Sequence, residues 1–573
     1  MFKTFLLTVE KHSTFKINEQ ILQNPSVYFD QEKLKFADGI TLYIEPFERY
    51  KDSRVIFYSS DCLQLLNGCL FDSDGKSFTQ NFASKPMNIQ MDSLGKLRGS
   101  FCGFTVNLER KYLCGFTDHL GCKPLYYYED DELFLLGSSV FAIAKFLRSC
   151  HCLKVSLFGA YSLLTYGYML GSNTLFYGIK RLTPGTIIDF DLKQNDIKSQ
   201  MRSFYKIDFE PYDVSYAEAV DNIDDLFLQA VKRQAQYNSE QGLHNLCALS
   251  GGLDSRMTAF ALERCGINDV LYYTYSQSGR DDCVIPQTIS SDKKWEWLLL
   301  TLDKGSYLLN IDDAVKISDG TNYYGWAAQL ASFLNTINTS AFGLVHTGVL
   351  GDVVVGSFVH RSVYKRHQEY IIGDGAYSRK LISKLVKYLP YDLSYNSYEE
   401  GMMVNRALNG AYLGYAQSYA RCIEAYSPFM DVDFFSYCMH IPMEMRMGHK
   451  LYYRWVLDRF SEAAKYKVNG RRITANQLEV KVDGTPIPLR LIPEMLCNKL
   501  KDAQALSMNP VDQWWAENQL LRNTFDSYFY SRVDLLSFNH ILQNDTIQLY
   551  ETGTTLEKTQ CLSLVGSLAY IGM

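Results

Sequence analysis

Residues 245–264 of this 573-residue chain read as one unit. An apolar strand, Asn245-Leu246-Cys247-Ala248-Leu249, runs into the turn Ser250-Gly251-Gly252-Leu253-Asp254-Ser255, and a helical pattern follows through Arg264. The glycines let backbone amides approach an anion closely, the serines add hydroxyl donors, and the helix N-terminus contributes partial positive charge, so the turn suits a phosphate or pyrophosphate. Asp254 would repel a bare anion, a conflict that a Mg²⁺-pyrophosphate complex removes. The turn lacks the glycine-lysine ending and the spacer of a Walker loop. The plain alternative is an ordinary serine-capped strand-to-helix turn; a chance match at five specified positions in this strand-helix context is on the order of 10⁻³ or less.

Downstream, Thr347-Gly348-Val349-Leu350-Gly351-Asp352-Val353-Val354-Val355-Gly356 follows a predicted strand. Further on come Glu424-Ala425-Tyr426-Ser427-Pro428-Phe429-Met430-Asp431 and the pair Lys450 and Arg454. The first turn resembles the PP-loop of enzymes that split ATP between its α and β phosphates. The later segments sharpen that to a resemblance to asparagine synthetases, whose patterns are S/T-G-E-G-x-D-E-x-x-G, E-A-R-x-P-F-L-D and K-x-x-L-R. The resemblance implies ATP and Mg²⁺ as cofactors. It implies an ATP-binding set of Leu249, Ser250, Gly251, Gly252, Asp254, Ser255, Tyr275 and Gly348, with metal ligands Asp254 and Asp352. Lys450 would stabilise charge on the α-phosphate, and the strand Tyr272 to Ser276 would border the adenine. Glu424 is expected to be structural, pairing an arginine or capping a helix.

The first 200 residues agree with this. Asn67-Gly68, Leu97-Arg98-Gly99, Asp118-His119-Leu120-Gly121-Cys122-Lys123-Pro124-Leu125-Tyr126-Tyr127 and Leu182-Thr183-Pro184-Gly185 resemble the glutaminase-type domain of class II glutamine amidotransferases. Such domains use the thiol and amine of an N-terminal cysteine. Here residue 2 is Phe2, and Cys69 stands where the family has a glutamate for holding glutamine. No glutamine hydrolysis is expected. In the synthetase-like half, Val349 replaces a family glutamate and Val353 the acid after Asp352. Neither valine can accept a proton or bind metal; both are expected at an enclosed strand end.

These residues need two scaffolds. Short aromatic and β-branched runs (Arg54 to Ser59, Phe101 to Asn107, Leu125 to Tyr128, Leu133 to Leu136) predict an antiparallel sheet. After the polar connector from Tyr205 to Ser215, a helix is predicted over Tyr216 to Ala235. Apolar runs at Leu246 to Leu249, Val270 to Tyr275, Leu298 to Leu302 and Gly343 to His346 then alternate with helices, which implies a parallel doubly wound sheet. The expected fold is α/β: an Ntn-type αββα sandwich over 1–205, a degenerate glutaminase, followed over 206–573 by a PP-loop domain with a helical C-terminal part. Val480 to Pro493 reads as a surface loop.

Composition bounds the rest. At 47% apolar and 21% charged the chain can bury large cores, which excludes a disordered or fibrous protein. Fifty-seven basic against 63 acidic residues, net −6, argue against nucleic-acid or membrane binding. No stretch reads as an export signal or membrane span, and 14 scattered cysteines suggest free thiols, so a cytoplasmic location is expected. The tight group Cys150, His151 and Cys152 lacks a second ligand pair and is read as a loop or helix end. The implied activity is an AMP-forming carbon–nitrogen ligase that joins a small-molecule or peptide carboxylate to ammonia or an amine, the donor free or brought by a partner protein. Alternatives are an intramolecular cyclase of the β-lactam synthetase or lasso-peptide type, and a catalytically impaired nucleotide-binding scaffold.

Overall fold

The computed structural model describes residues 2–13, 33–46, 56–59, 61–72, 91–150, 153–193, 198–358, 369–391, 393–420, 422–467, 473, 479–482, 485–488 and 509–573. Two six-stranded antiparallel sheets form from the first 203 residues. The first has the order β10-β8-β9-β1-β3-β2, built from β1 (Phe2–Glu10), β2 (Lys33–Ala37), β3 (Ile40–Pro46), β8 (Tyr126–Glu129), β9 (Leu133–Gly137) and β10 (Lys180–Arg181). The second has the order β12-β11-β7-β6-β5-β4, from β4 (Ile56–Tyr58), β5 (Cys62–Phe71), β6 (Arg98–Asn107), β7 (Tyr112–Thr117), β11 (Thr186–Asp191) and β12 (Gln200–Ser203). Alternate residues of β1, Phe5, Leu7 and Val9, meet Leu63, Phe104 and Leu113 in the core between the sheets. Helices α1 (Val140–Ser149) and α2 (Leu157–Tyr166) cover the first sheet's outer face, and Leu94 and Leu97 pack on that of the second. This is the expected αββα layering. The predicted strand over Arg54 to Ser59 survives as β4, with residues 54 and 55 outside the described ones.

The parallel sheet has the order β15-β14-β13-β16-β17, from β13 (His244–Ala248), β14 (Val270–Ser276), β15 (Trp297–Thr301), β16 (Phe342–His346) and β17 (Ala425–Tyr426). Helix α3 (Tyr216–Glu240) runs one turn and more past its predicted end, and α4 (Leu253–Arg264) ends where the pattern did. Both faces are covered: Cys247, Tyr272 and Leu344 join the core around α3 and α4, while Leu246, Tyr273 and Val345 face Leu330 and Phe333. The last strand-like stretch breaks differently from expectation. Val349 lies in a loop, and Val353 lies in a π-helical turn, Asp352–Gly356, rather than at a strand end. Val353 is buried and Val349 half-buried among apolar neighbours. The chain after residue 509 is helical. Within the expected loop at 480–493, Glu479–Val482 pairs with Thr485–Pro488 as a hairpin, and the remainder lies outside the described residues. Cys150 is an exposed helix end, while His151 and Cys152 are also outside them. Among the described residues no helix is long and apolar enough to cross a membrane.

Segments far apart in sequence meet at the junction of the two sheet systems. The Asp118 carboxylate, fully buried, accepts from the backbone N–H groups of Phe101, Leu120, Cys122 and Lys123 at 2.9–3.1 Å, and so shapes the turn that presents Lys123. Lys123 forms a buried ion pair with Glu424. The expected arginine or helix-cap role of Glu424 is thus corrected: its partner is a lysine from the other half of the chain. Arg98 bridges to Asp433 at 2.8 Å, and Arg233 to Asp431 at 2.7 Å. Asp319, directly after the helix Ile311–Ser318, accepts from the Ser139 hydroxyl at 2.6 Å and from the amides of Val140 and Phe141 at 2.6 and 3.0 Å. It thereby ties the N-terminus of α1 to the second half.

Removing one member of a buried pair leaves the other charge uncompensated, which costs about 3–5 kcal/mol. Lys123→Met is therefore expected to lower the thermal unfolding temperature sharply, and the double variant with Glu424→Leu to recover most of the loss. Asp319 supplies a pH signature. Burial pushes its carboxyl from 3.8 up to about 6, against the pull of its three donors. The folded state therefore holds this proton more tightly than the unfolded chain. Its contribution is present below about pH 4 and is lost as pH rises through 6, about 3 kcal/mol for two units. The urea midpoint of the wild type, relative to that of Asp319→Asn, should fall between pH 4 and 7.

Candidate active site

The loops that follow β13 and β16 leave adjacent parallel strands at the same end, which brings two segments about a hundred residues apart side by side. Leu249 is buried and extends the ladder, donating its N–H to the Tyr273 carbonyl at 2.9 Å and accepting from the Thr274 hydroxyl at 2.6 Å. In the turn, the Ser250 N–H donates to Ser255 Oγ at 2.8 Å, the two serine hydroxyls lie 2.7 Å apart, and the Gly252 N–H donates to Ser250 Oγ at 3.2 Å. The Gly251 N–H donates to Asp282 Oδ1 at 2.9 Å, and its carbonyl accepts from the buried Arg256 guanidinium. The amides of 250–252 are thus engaged within the protein. Helix α4 has no side-chain cap at Gly252, so its dipole and first-turn amides carry the attraction for an anion.

Asp254 and Asp352 meet at the end of this turn. The Asp352 N–H donates to Asp254 Oδ2 at 3.0 Å, and Tyr452, two residues into the helix that Lys450 begins, donates to Asp254 Oδ1 at 2.7 Å. Two glycines permit the approach. A Cβ on Gly348 would lie 2.4 Å from the Asp254 carbonyl carbon and the Ser255 nitrogen, and one on Gly351 2.8 Å from Asp254 Cγ. Burial first, and the Asp352 charge second, push the Asp254 carboxyl well above the carboxylate range. A divalent cation relieves that conflict. Among the described residues no cluster of three or more acidic, His or Cys ligands exists. Two carboxylates with further oxygens from a phosphate chain suit Mg²⁺, which dehydrates reluctantly. The residues present therefore fit the metal.

Other expected residues fall unevenly. Lys450 opens its helix half-buried, directly after His449, whose backbone is left-handed at φ 60°. Arg454 is instead a surface residue paired with Asp458 at 2.6 Å. Tyr275 sits on β14, its ring packed near Phe333 and its hydroxyl engaged with Tyr415. Sequence reasoning missed Tyr452, Arg256 and Asp282. For Asp282 a signal existed: an acidic pair opening a helix just after β14, at the same sheet end as the turn. Tyr452 and Arg256 had none, because a tyrosine and an arginine on helices usually serve packing or solvent. Gly348→Ala is expected to force the two loops apart and lower the melting temperature by several degrees in scanning calorimetry. Gly351→Ala, meeting a side-chain atom and the Phe429 ring, should do so less severely.

Residues 75–205 match the family model of a glutamine amidotransferase domain. The chain is 29% identical over 177 residues to the glutamine-hydrolyzing asparagine synthetase 3 of Bacillus subtilis (strain 168). That stretch covers 30% of this chain and 27% of that relative, so the chain matches about a quarter of the curated relative's length. Among solved structures it is similar to glutamine phosphoribosylpyrophosphate amidotransferase from B. subtilis complexed with ADP and GMP, at 9% identity and TM-score 0.22, over 61% of this chain and 76% of that one. It is also similar to NH3-dependent NAD synthetase from Campylobacter jejuni subsp. jejuni NCTC 11168 in complex with nitrate, at 18% identity and TM-score 0.17, over 31% and 76%. Scores this low carry no argument about the site.

Proposed function

We propose that this asparagine synthetase-like chain is an ATP-dependent amide ligase that activates a carboxylate as acyl-AMP and does not hydrolyse glutamine itself. The observation that supports it is the meeting of Asp254 with Asp352 and Tyr452 at the end of a glycine-serine turn. A carboxylate is a poor acyl donor because its charge is delocalised and oxide is a hopeless leaving group. In the reaction, a carboxylate oxygen attacks the α-phosphorus in line, the bond to the bridging oxygen of the β-phosphate breaks, and pyrophosphate departs. The amine nitrogen then attacks the acyl carbon, AMP leaves with the bonding pair, and the amine's proton passes to a base that Val349 and Val353 cannot supply.

Ser250, Gly251, Gly252 and Ser255, with the start of α4, would orient the β and γ phosphates, while Leu249, Tyr275 and Gly348 shape the nucleotide's surroundings. Asp254 and Asp352 would hold Mg²⁺, whose chemistry there is to neutralise charge on the departing pyrophosphate. Lys450 would place positive charge at the α-phosphate and at the acyl oxyanion, an effect typically worth about 3 kcal/mol of barrier. For the N-terminal sandwich, β1 begins with a phenylalanine, which carries no nucleophile. Of that region's thiols, burial pushes Cys62 up to about 11 and Cys69 up to about 12, which favours their protonated, weakly nucleophilic forms. The domains proposed are 1–205 and 206–573, and the amine is ammonia or an amine delivered from outside the chain.

The test is carboxylate-dependent exchange of labelled pyrophosphate into ATP across amino acids, sugar acids and peptides. Wild type should exchange with at least one class. Asp254→Asn and Lys450→Met should each lose about a hundredfold or more, and Phe2→Ala should lose nothing. ADP as product, or no Mg²⁺-dependent nucleotide uptake, refutes the ligase and, in the second case, the nucleotide-binding scaffold as well.

A further inference from the structure

The backbone N–H and carbonyl of Gly251, which lie in consecutive peptide units, are held by opposite charges. Its N–H donates to Asp282 Oδ1 at 2.9 Å, and its carbonyl accepts from Arg256. Arg256 is fully buried and is fixed in turn by the carbonyls of Ala463, at 3.2 Å, and Tyr466, at 2.9 Å. Asp282 lies in the first turn of the 13-residue helix Asp281–Lys293, and that helix start backs directly on the loop: a Cβ on Gly251 would come within 2.8 Å of the Asp281 carbonyl oxygen. The arginine side of this clamp is anchored at three carbonyls, whereas the aspartate side rests on one hydrogen bond to a half-buried carboxylate.

A carboxylate on a backbone N–H of a glycine-rich loop occupies the place that a phosphate oxygen takes there. One N–H has one hydrogen and cannot serve two anions, and two anions side by side repel. We infer that Asp282 is a positioning residue that acts as an internal anion at Gly251, preforming the loop in the absence of polyphosphate and yielding the N–H to a phosphate oxygen when one binds, while Arg256 keeps the peptide in place. This rests on the nucleotide reading above and adds a regulation of the same turn: the affinity for the polyphosphate is held down by the loop's own counter-anion. Burial pushes the Asp282 carboxyl up, with the Gly251 bond and Arg256 opposing, which agrees with a carboxylate whose charge is only partly compensated.

The test uses the full chain and calorimetry with inorganic pyrophosphate plus MgCl₂, then MgATP. Asp282→Asn keeps the shape and an acceptor but drops the charge, and is expected to bind both roughly tenfold tighter or more, because a like-charge juxtaposition is relieved. In steady state the KM for ATP should fall by the same factor without a rise in kcat, a split that a purely structural role would not give. Asp282→Glu, which keeps the charge, should stay near wild type. Asp282→Ser serves if the asparagine variant melts early, and should also bind more tightly. Nucleotide binding that is equal or weaker in both neutral variants overturns this inference and leaves the ligase reading standing. Failure of wild type and variants alike to bind pyrophosphate or ATP overturns both.

Discussion

The arrangement depends on one carboxylate, Asp254, being accepted in a place where it is electrostatically unwelcome. It is half-buried beside a second acid, and burial alone would favour its neutral form. What holds it are two donors from distant parts of the chain, the Asp352 amide and the Tyr452 hydroxyl. Those donors fill lone pairs but do not cancel charge, so the site is polarised toward a cation. Everything around it serves that approach: adjacent parallel strands bring the two loops to one edge, and Gly348 and Gly351 remove the side chains that would keep them apart.

The same logic, opposite charges brought together by residues far apart in sequence, joins the two sheet systems. Lys123 with Glu424, Arg98 with Asp433 and the Asp319 carboxylate on the start of α1 span the junction. The connector contributes as well, with Tyr205 hydrogen-bonded to Ser436 at 2.7 Å and Tyr212 donating to the His440 carbonyl at 2.7 Å. The sandwich is thus packed against the elements of the parallel sheet. Its sequence segments are structural in this respect: Asp118 builds the turn that aims Lys123, whatever the domain does with glutamine.

The apolar replacements at Val349 and Val353 fit this economy. Val353 is enclosed in the π-helical turn that follows Asp352, and Val349 packs against the same core. An acid at either place would need a partner that an apolar wall does not offer. The wall beside Asp254 and Asp352 therefore carries no proton acceptor at those two positions.

The chain's linear order determined the layering, the alternation of strand and helix, the turn at 250–255 and the identity of the two acids, because periodicity and short glycine-serine turns are local properties written in neighbouring residues. Tertiary structure alone decided that Glu424 finds a lysine, that Arg454 faces solvent, that Tyr452 reaches Asp254 and that Arg256 is anchored against the turn. The pairs Lys123 with Glu424, Asp254 with Tyr452 and Arg256 with Ala463 lie some 200 to 300 positions apart. No local pattern encodes them, since they follow from which strands lie side by side and which glycines let them close.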